Sequence, residues 1–228
     1  MTVRTSVVRA RWRDVERIVD LVTDTLSPTP LGAWLVPDER CRPEVLAAVA
    51  RIWTEHALLF GDAFLLSDGT AATVWFHRYR PIPLPVRYAE RLDAACGADR
   101  DRFRRLERDL AARRPVEAHN HLAFLAAPGA GRTGRAAAVL AGSQRWMDTL
   151  SLPTYAEAFT AADRDLHLRH GYTGRDAFPL PDGGTAHPMW RVSPYWAGRL
   201  GGNTVARWPT RRSPTSVRND RVSGYAHP

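Results

Sequence analysis

Glu117, His119 and His121 occupy alternate positions in the run Glu-Ala-His-Asn-His. On a strand, residues two apart point to one face, so extended backbone here lines up a carboxylate and two imidazoles. An imidazole with an ordinary pKa near ~6.5 changes charge close to neutral pH, which suits it to accept a proton from an incipient nucleophile. Alternating histidines also ligate zinc, although no fourth ligand stands at a readable spacing. The competing reading is that both histidines are satisfied strand residues with no chemistry.

The same residues open a longer unit, Ala118 to Leu140, that runs from an apolar strand through Pro128-Gly129-Ala130-Gly131 into an Ala-rich helix. A strand, a glycine-rich turn and a helix N-terminus together present free backbone N–H groups and a positive dipole end, a place for a phosphate. The plain alternative is a tight turn without ligand.

Positioning such a site needs a sheet. Thr5 to Ala10 reads as a strand, and Asp14 opens a helix with Ile18, Leu21, Val22 and Leu26 at helical spacing, ended by Ser27-Pro28-Thr29-Pro30. A second helix runs from Pro43 to about Leu59 and stops at Gly61. The apolar runs 63–66 and 71–76 flank Asp68-Gly69 and predict a hairpin. After a proline-rich stretch, 88–96 and 101–113 read as arginine-decorated helices. Beyond the central unit, Pro153 to Phe159 reads as a strand and Asp163 to His170 as a helix. Tyr172 to Phe178 and His187 to Val192 complete the sheet. The class is α/β with a mixed sheet flanked by helices.

Composition bounds the function. The 228 residues fit one domain, here 1–193, followed by a Gly/Pro/Ser-rich basic tail, 194–228, expected to be disordered. The net charge of +8 suggests nucleic acid until it is located: seven arginines and one aspartate after Trp190 carry +6, leaving +2 for the remaining 190 residues. A nearly neutral body argues against nucleic-acid binding. No apolar run is long enough to span a membrane. Two cysteines and no signal-peptide pattern lead to an expectation of a reducing cytoplasm.

With its elements placed, the chain resembles the GNAT superfamily of acetyl-CoA-dependent N-acetyltransferases over about Val3 to Val192. The resemblance lies in the opening strand and helix, the hairpin ending in Val74-Trp75-Phe76, the hexamer Gly131-Arg132-Thr133-Gly134-Arg135-Ala136, and the Arg169-His170-Gly171-Tyr172 ending of the late helix. It implies a centrally splayed sheet and acetyl transfer from acetyl-CoA to the primary amine of a small molecule, by a monomer or homodimer. It assigns the pantetheine arm to the strand edge at Phe124, Leu125 and Ala126. The pyrophosphate falls to Gly131, Arg132, Thr133, Gly134, Arg135 and Ala136, with Asp163 close by. His121, nearest the splay, becomes the expected base, with Glu117 or His119 relaying through water. His167 falls where the family usually carries a tyrosine acid.

Three positions depart from the family pattern. Gly131 replaces a Gln or Arg, Asp163 a common Asn, and His167 the tyrosine. An acyl-CoA-binding or partner-binding module with weak or no turnover therefore stands as the alternative. The resemblance puts the acceptor wall on the first two helices and the segment 79–88. Trp53, Trp75, Tyr79 and Tyr88 there, with few acidic neighbours, favour a moderately apolar amine over a polycation.

Overall fold

The computed structural model describes residues 6–197. Among the described residues, eight strands form one sheet in the order β1-β2-β3-β4-β5-β8-β6, with β7 paired to β8 off the main path. They are β1 (Val7–Arg9), β2 (Gly61–Leu66), β3 (Ala72–Arg78), β4 (His119–Ala126), β5 (Thr154–Ala158), β6 (Thr173–Gly174), β7 (Phe178–Pro179) and β8 (Thr185–Arg191). Every pairing is antiparallel except that of β4 with β5. A parallel neighbour needs a crossover, and α6 (Arg132–Thr149) supplies it.

The helices cover both faces. On one side α1 (Val15–Leu26) buries Ile18, Val19, Leu21 and Val22 against α3 (Arg42–Phe60) and the β2–β3–β4 surface. On the other, Val139, Leu140 and Met147 of α6 close over Trp75, Leu122 and Met189. The expected hairpin forms: Asp68 accepts from the backbone N–H and hydroxyl of Thr70, and Gly69 takes a left-handed φ of 69°.

Several expectations need correction. The first helix ends at Leu26, as Ser27-Pro28-Thr29-Pro30 led one to expect, but a further helix, α2 (Pro30–Leu35), follows at once, because Thr29 caps a new turn by accepting from the Gly32 N–H. The expected strand 172–178 is reduced to the two-residue β6 and β7, and Glu117 lies just outside β4. Trp75, expected in the acceptor wall, is fully buried beneath α6. The crossing between β3 and β4 carries α4 (Tyr88–Cys96) and α5 (Arg100–Arg113), which pack on α2 and α3 through Leu92, Cys96 and Phe103. The chain beyond β8 begins with a four-residue helix, α8 (Pro194–Ala197); the rest of the expected tail, with Trp208, lies outside the described residues. Among the described residues, no helix is long and apolar enough to cross a membrane.

Candidate active site

The parallel strands β4 and β5 pair only at Asn120 with Thr154, His121 with Tyr155, and Leu122 with Ala156. Beyond that point β5 stays with β8 while β4 stays with β3. A bulge explains the parting. Val74 faces Phe124 but its neighbour Trp75 faces Leu122, so Ala123 is an extra residue in β4. An inserted residue bends and twists its strand. Ala123 and Phe124 accordingly pack on the same side of the sheet, while Leu125 packs on the other. From Ala123 to Ala126 the edge of β4 that faced β5 has no strand partner among the described residues, up to Ala127, whose N–H donates to Thr25.

The turn after β4 delivers the chain to α6 through two left-handed glycines, Gly129 and Gly131, at φ values of 75° and 73°. Gly131 is the N-cap and offers no side-chain acceptor, so the first N–H groups of α6 have no side-chain cap among the described residues. At Gly134 a Cβ would meet nothing within 4 Å, leaving open space over the helix start. Ala136 is buried against the sheet, where a larger side chain would lift the helix.

The two arginines of this turn have different surroundings. Arg132 reaches across to Asp163 at 2.7 Å, joining the start of α6 to the start of α7 (Ala161–Arg169). Arg135 folds back and donates to the carbonyl of Pro128, bracing the turn instead of projecting from it. That differs from the expected phosphate contact.

At the level where the strands part, His121 and Glu157 meet at 2.8 Å, their side chains 6% and 5% exposed. Arg78 donates its Nε–H to His121 Nδ1 at 3.3 Å, so the proton of the neutral ring sits on Nε2 and is donated to Glu157. Burial drives His121 down to about 4, against the pull of Glu157, so the ring is neutral at pH 7. Burial alone would raise Glu157, but His121 and Arg114 hold it below the usual carboxylate range, and it remains an anion. Its Oε1 has no hydrogen bond of ordinary geometry among the described residues, although the Tyr155 hydroxyl also helps to lower this carboxylate.

His119 shares this face, its ring 6.3 Å from that of His121. Its Nδ1–H donates to the Glu117 carbonyl at 2.6 Å, and its buried Nε2 is left as an unpartnered acceptor. Burial pushes it to about 4 as well. The Tyr155 hydroxyl, on β5 opposite His121, is also buried, with no hydrogen bond of ordinary geometry; burial and the nearby Glu157 raise its pKa. Trp53 forms an aromatic wall with Tyr88 and Phe76, at ring distances of 5.3 and 6.0 Å.

His167 lies apart, on the buried side of α7 against Tyr172. Its Nδ1–H donates to the Asp163 carbonyl at 2.7 Å, and burial lowers its pKa. With its Nδ1–H spent on that carbonyl, the ring presents Nε2 as a bare acceptor, which differs from the imidazolium expected of a proton donor.

Sequence reading passed over Glu157, Tyr155, Arg78 and Arg114. Tyr155 and Glu157 carry the same alternate spacing as the histidine pair, which was the available signal; their register against β4 was not. Among the described residues, no group of three His, Cys, Asp or Glu side chains is placed to hold a metal ion.

No protein-family model matches the sequence, and no curated protein matches it. Solved structures do. A histone acetyltransferase HPA2 and related acetyltransferase from Corynebacterium glutamicum aligns at a TM-score of 0.64 with 21% identity, covering 83% of this chain and 96% of the other. Arylalkylamine N-acetyltransferase 2 from Aedes aegypti gives 0.58 at 11% identity, over 83% and 99% of the two chains. The Drosophila melanogaster polyamine N-acetyltransferase gives 0.56 at 18%, over 82% and 98%. The chain has the GNAT acetyltransferase fold.

Proposed function

We propose that this protein transfers an acetyl group from acetyl-CoA to the primary amine of a small molecule. The observation that carries the reading is the parting of β4 from β5 directly below an uncapped, glycine-led helix N-terminus, with a buried carboxylate–histidine pair where the strands separate. Acetyl-CoA supplies the thioester. The free edge of β4 at Phe124, Leu125 and Ala126 offers backbone groups to its pantetheine arm. The N–H groups at Arg132, Thr133 and Gly134 offer an anion site to its pyrophosphate.

The proton chemistry belongs to this chain. An attacking amine must first lose a proton, and Glu157 is an anion whose Oε1 has no hydrogen bond of ordinary geometry among the described residues, with the Tyr155 hydroxyl beside it. His121 donates to the other carboxylate oxygen and fixes its orientation. The nitrogen then forms a bond to the acetyl carbon as the carbon–sulfur bond breaks, the thiolate takes a proton from Tyr155, and the second proton shed by the nitrogen restores the tyrosine. Tyr155 takes this role because its buried hydroxyl has no hydrogen bond of ordinary geometry among the described residues. This moves the base from His121 to the Glu157–His121 pair and the acid from His167 to Tyr155.

One observation bears on the non-catalytic alternative: both ring nitrogens of His121 are engaged, so proton uptake rests on Glu157 alone. Calorimetric titration of acetyl-CoA and CoA, followed by thiol release across an amine panel, separates the two. No CoA binding sinks both readings, and binding without thiol release leaves the module.

A further inference from the structure

We infer that the amine acceptor carries a carboxylate, received by Arg78 and Arg114 beside the His121–Glu157 pair. The inference rests on the acetyl-transfer reading and deepens it.

Arg78 ends β3 and Arg114 follows α5 as its C-cap, so the two guanidiniums come from opposite ends of the α4–α5 insertion. Both act on Glu157, and each weakens the protonation of His121. Neither has a carboxylate within ion-pair distance among the described residues. Arg78 spends only its Nε–H, on His121, which leaves both terminal nitrogens as donors. Arg114 Nε is buried with no partner. The pair is also strained electrostatically: burial first, and then Arg114, pull Arg78 down to about 10. A half-buried guanidinium with open donors beside a second cation is a receptive partner for an anion.

No surrounding carboxylate closes on either fork among the described residues. Glu117 acts on Arg175, and Glu107, which accepts from the Tyr88 hydroxyl, acts on Arg104 and Arg114 without an ion pair to Arg114. The terminal donors of Arg78 therefore stay open beside neutral His119 and His121, and a carboxylate matches the planar fork of a guanidinium. A polyamine would meet two cations there. The same ligand then presents its ammonium to Glu157 Oε1 and its apolar portion to Trp53 and Tyr88. This replaces the expectation of a simple apolar amine with an amino acid bearing an apolar side chain.

The test compares matched ligands on the full-length protein saturated with CoA. N-acetyl-L-phenylalanine and N-acetylphenethylamine differ by the carboxylate alone, and calorimetry reads their affinities without requiring turnover. The carboxylate is expected to tighten binding roughly tenfold or more. Arg114→Gln and Arg78→Gln should each remove most of that preference, and Arg114→Lys should restore part of it, in variants whose melting temperatures show a folded protein. Equal affinities, a preference for the neutral ligand, or no binding of either one overturns the inference while CoA binding stands. Failure to bind CoA instead overturns the acetyl-transfer reading beneath it.

Discussion

His121 on β4 donates its Nε2–H to Glu157 on β5 across 2.8 Å, at the level where the two strands stop pairing. The contact joins the strands just before they diverge, and it places an ionised carboxylate at the floor of the opening. Stability and chemistry therefore meet in one pair, and substitutions there separate the two roles only when both are measured.

Glu157→Gln keeps the shape and removes the base. Thiol release with an accepted amine should fall by about 10²- to 10⁴-fold, the usual range for a positioned proton acceptor. His121→Ala removes the donor to a buried carboxylate and should cost roughly 1–3 kcal/mol of stability as well. Unchanged turnover in Glu157→Gln at full folding would rule out the assigned base.

Acid should unfold the protein by a route that these histidines control. His119 and His121 are driven to about 4 in the fold, below their ordinary value. Between pH 6.5 and 4 the unfolded chain binds protons that the native chain refuses, so stability rises with pH across that window and levels off above it. Each histidine contributes a slope of about 1.4 kcal/mol per pH unit. Urea melts at pH 7 and pH 5 measure it, and His119→Gln should make the dependence shallower. A flat profile over that range contradicts the buried neutral histidines.

The Arg132–Asp163 bridge occupies an arginine that the pyrophosphate would otherwise use. Asp163→Asn should release it and tighten CoA binding about fivefold, whereas Arg132→Ala should weaken it by a similar factor. Opposite signs in calorimetry identify the bridge as a competitor of the phosphate. Weaker binding in Asp163→Asn would show that the bridge preforms the site instead.

Gly134 and Gly61 separate function from fold. A side chain at Gly134 enters open space, so Gly134→Leu should melt no lower than the parent and lose CoA binding. At Gly61 a Cβ would lie 1.9 Å from the Trp75 carbonyl oxygen, so Gly61→Ala should cost about 3 kcal/mol. Thermal melts of both variants, with CoA titration of the first, check the contrast.

The sequence by itself determined the local units. Helical spacing in Ile18, Leu21 and Val22, the Asp68-Gly69 hairpin, the glycine-led turn into α6 and the shared face of His119 and His121 all depend on residues a few positions apart. Periodicity and turn chemistry act over that range. Tertiary structure decided what those units meet. Glu157 reaches His121 only through the parallel register of β4 on β5, and Arg78 and Arg114 converge only because α4 and α5 return the chain to the same sheet face. The protonation of His121, His119 and His167 was likewise undecided in the sequence, because burial sets it and burial is a property of the packed molecule.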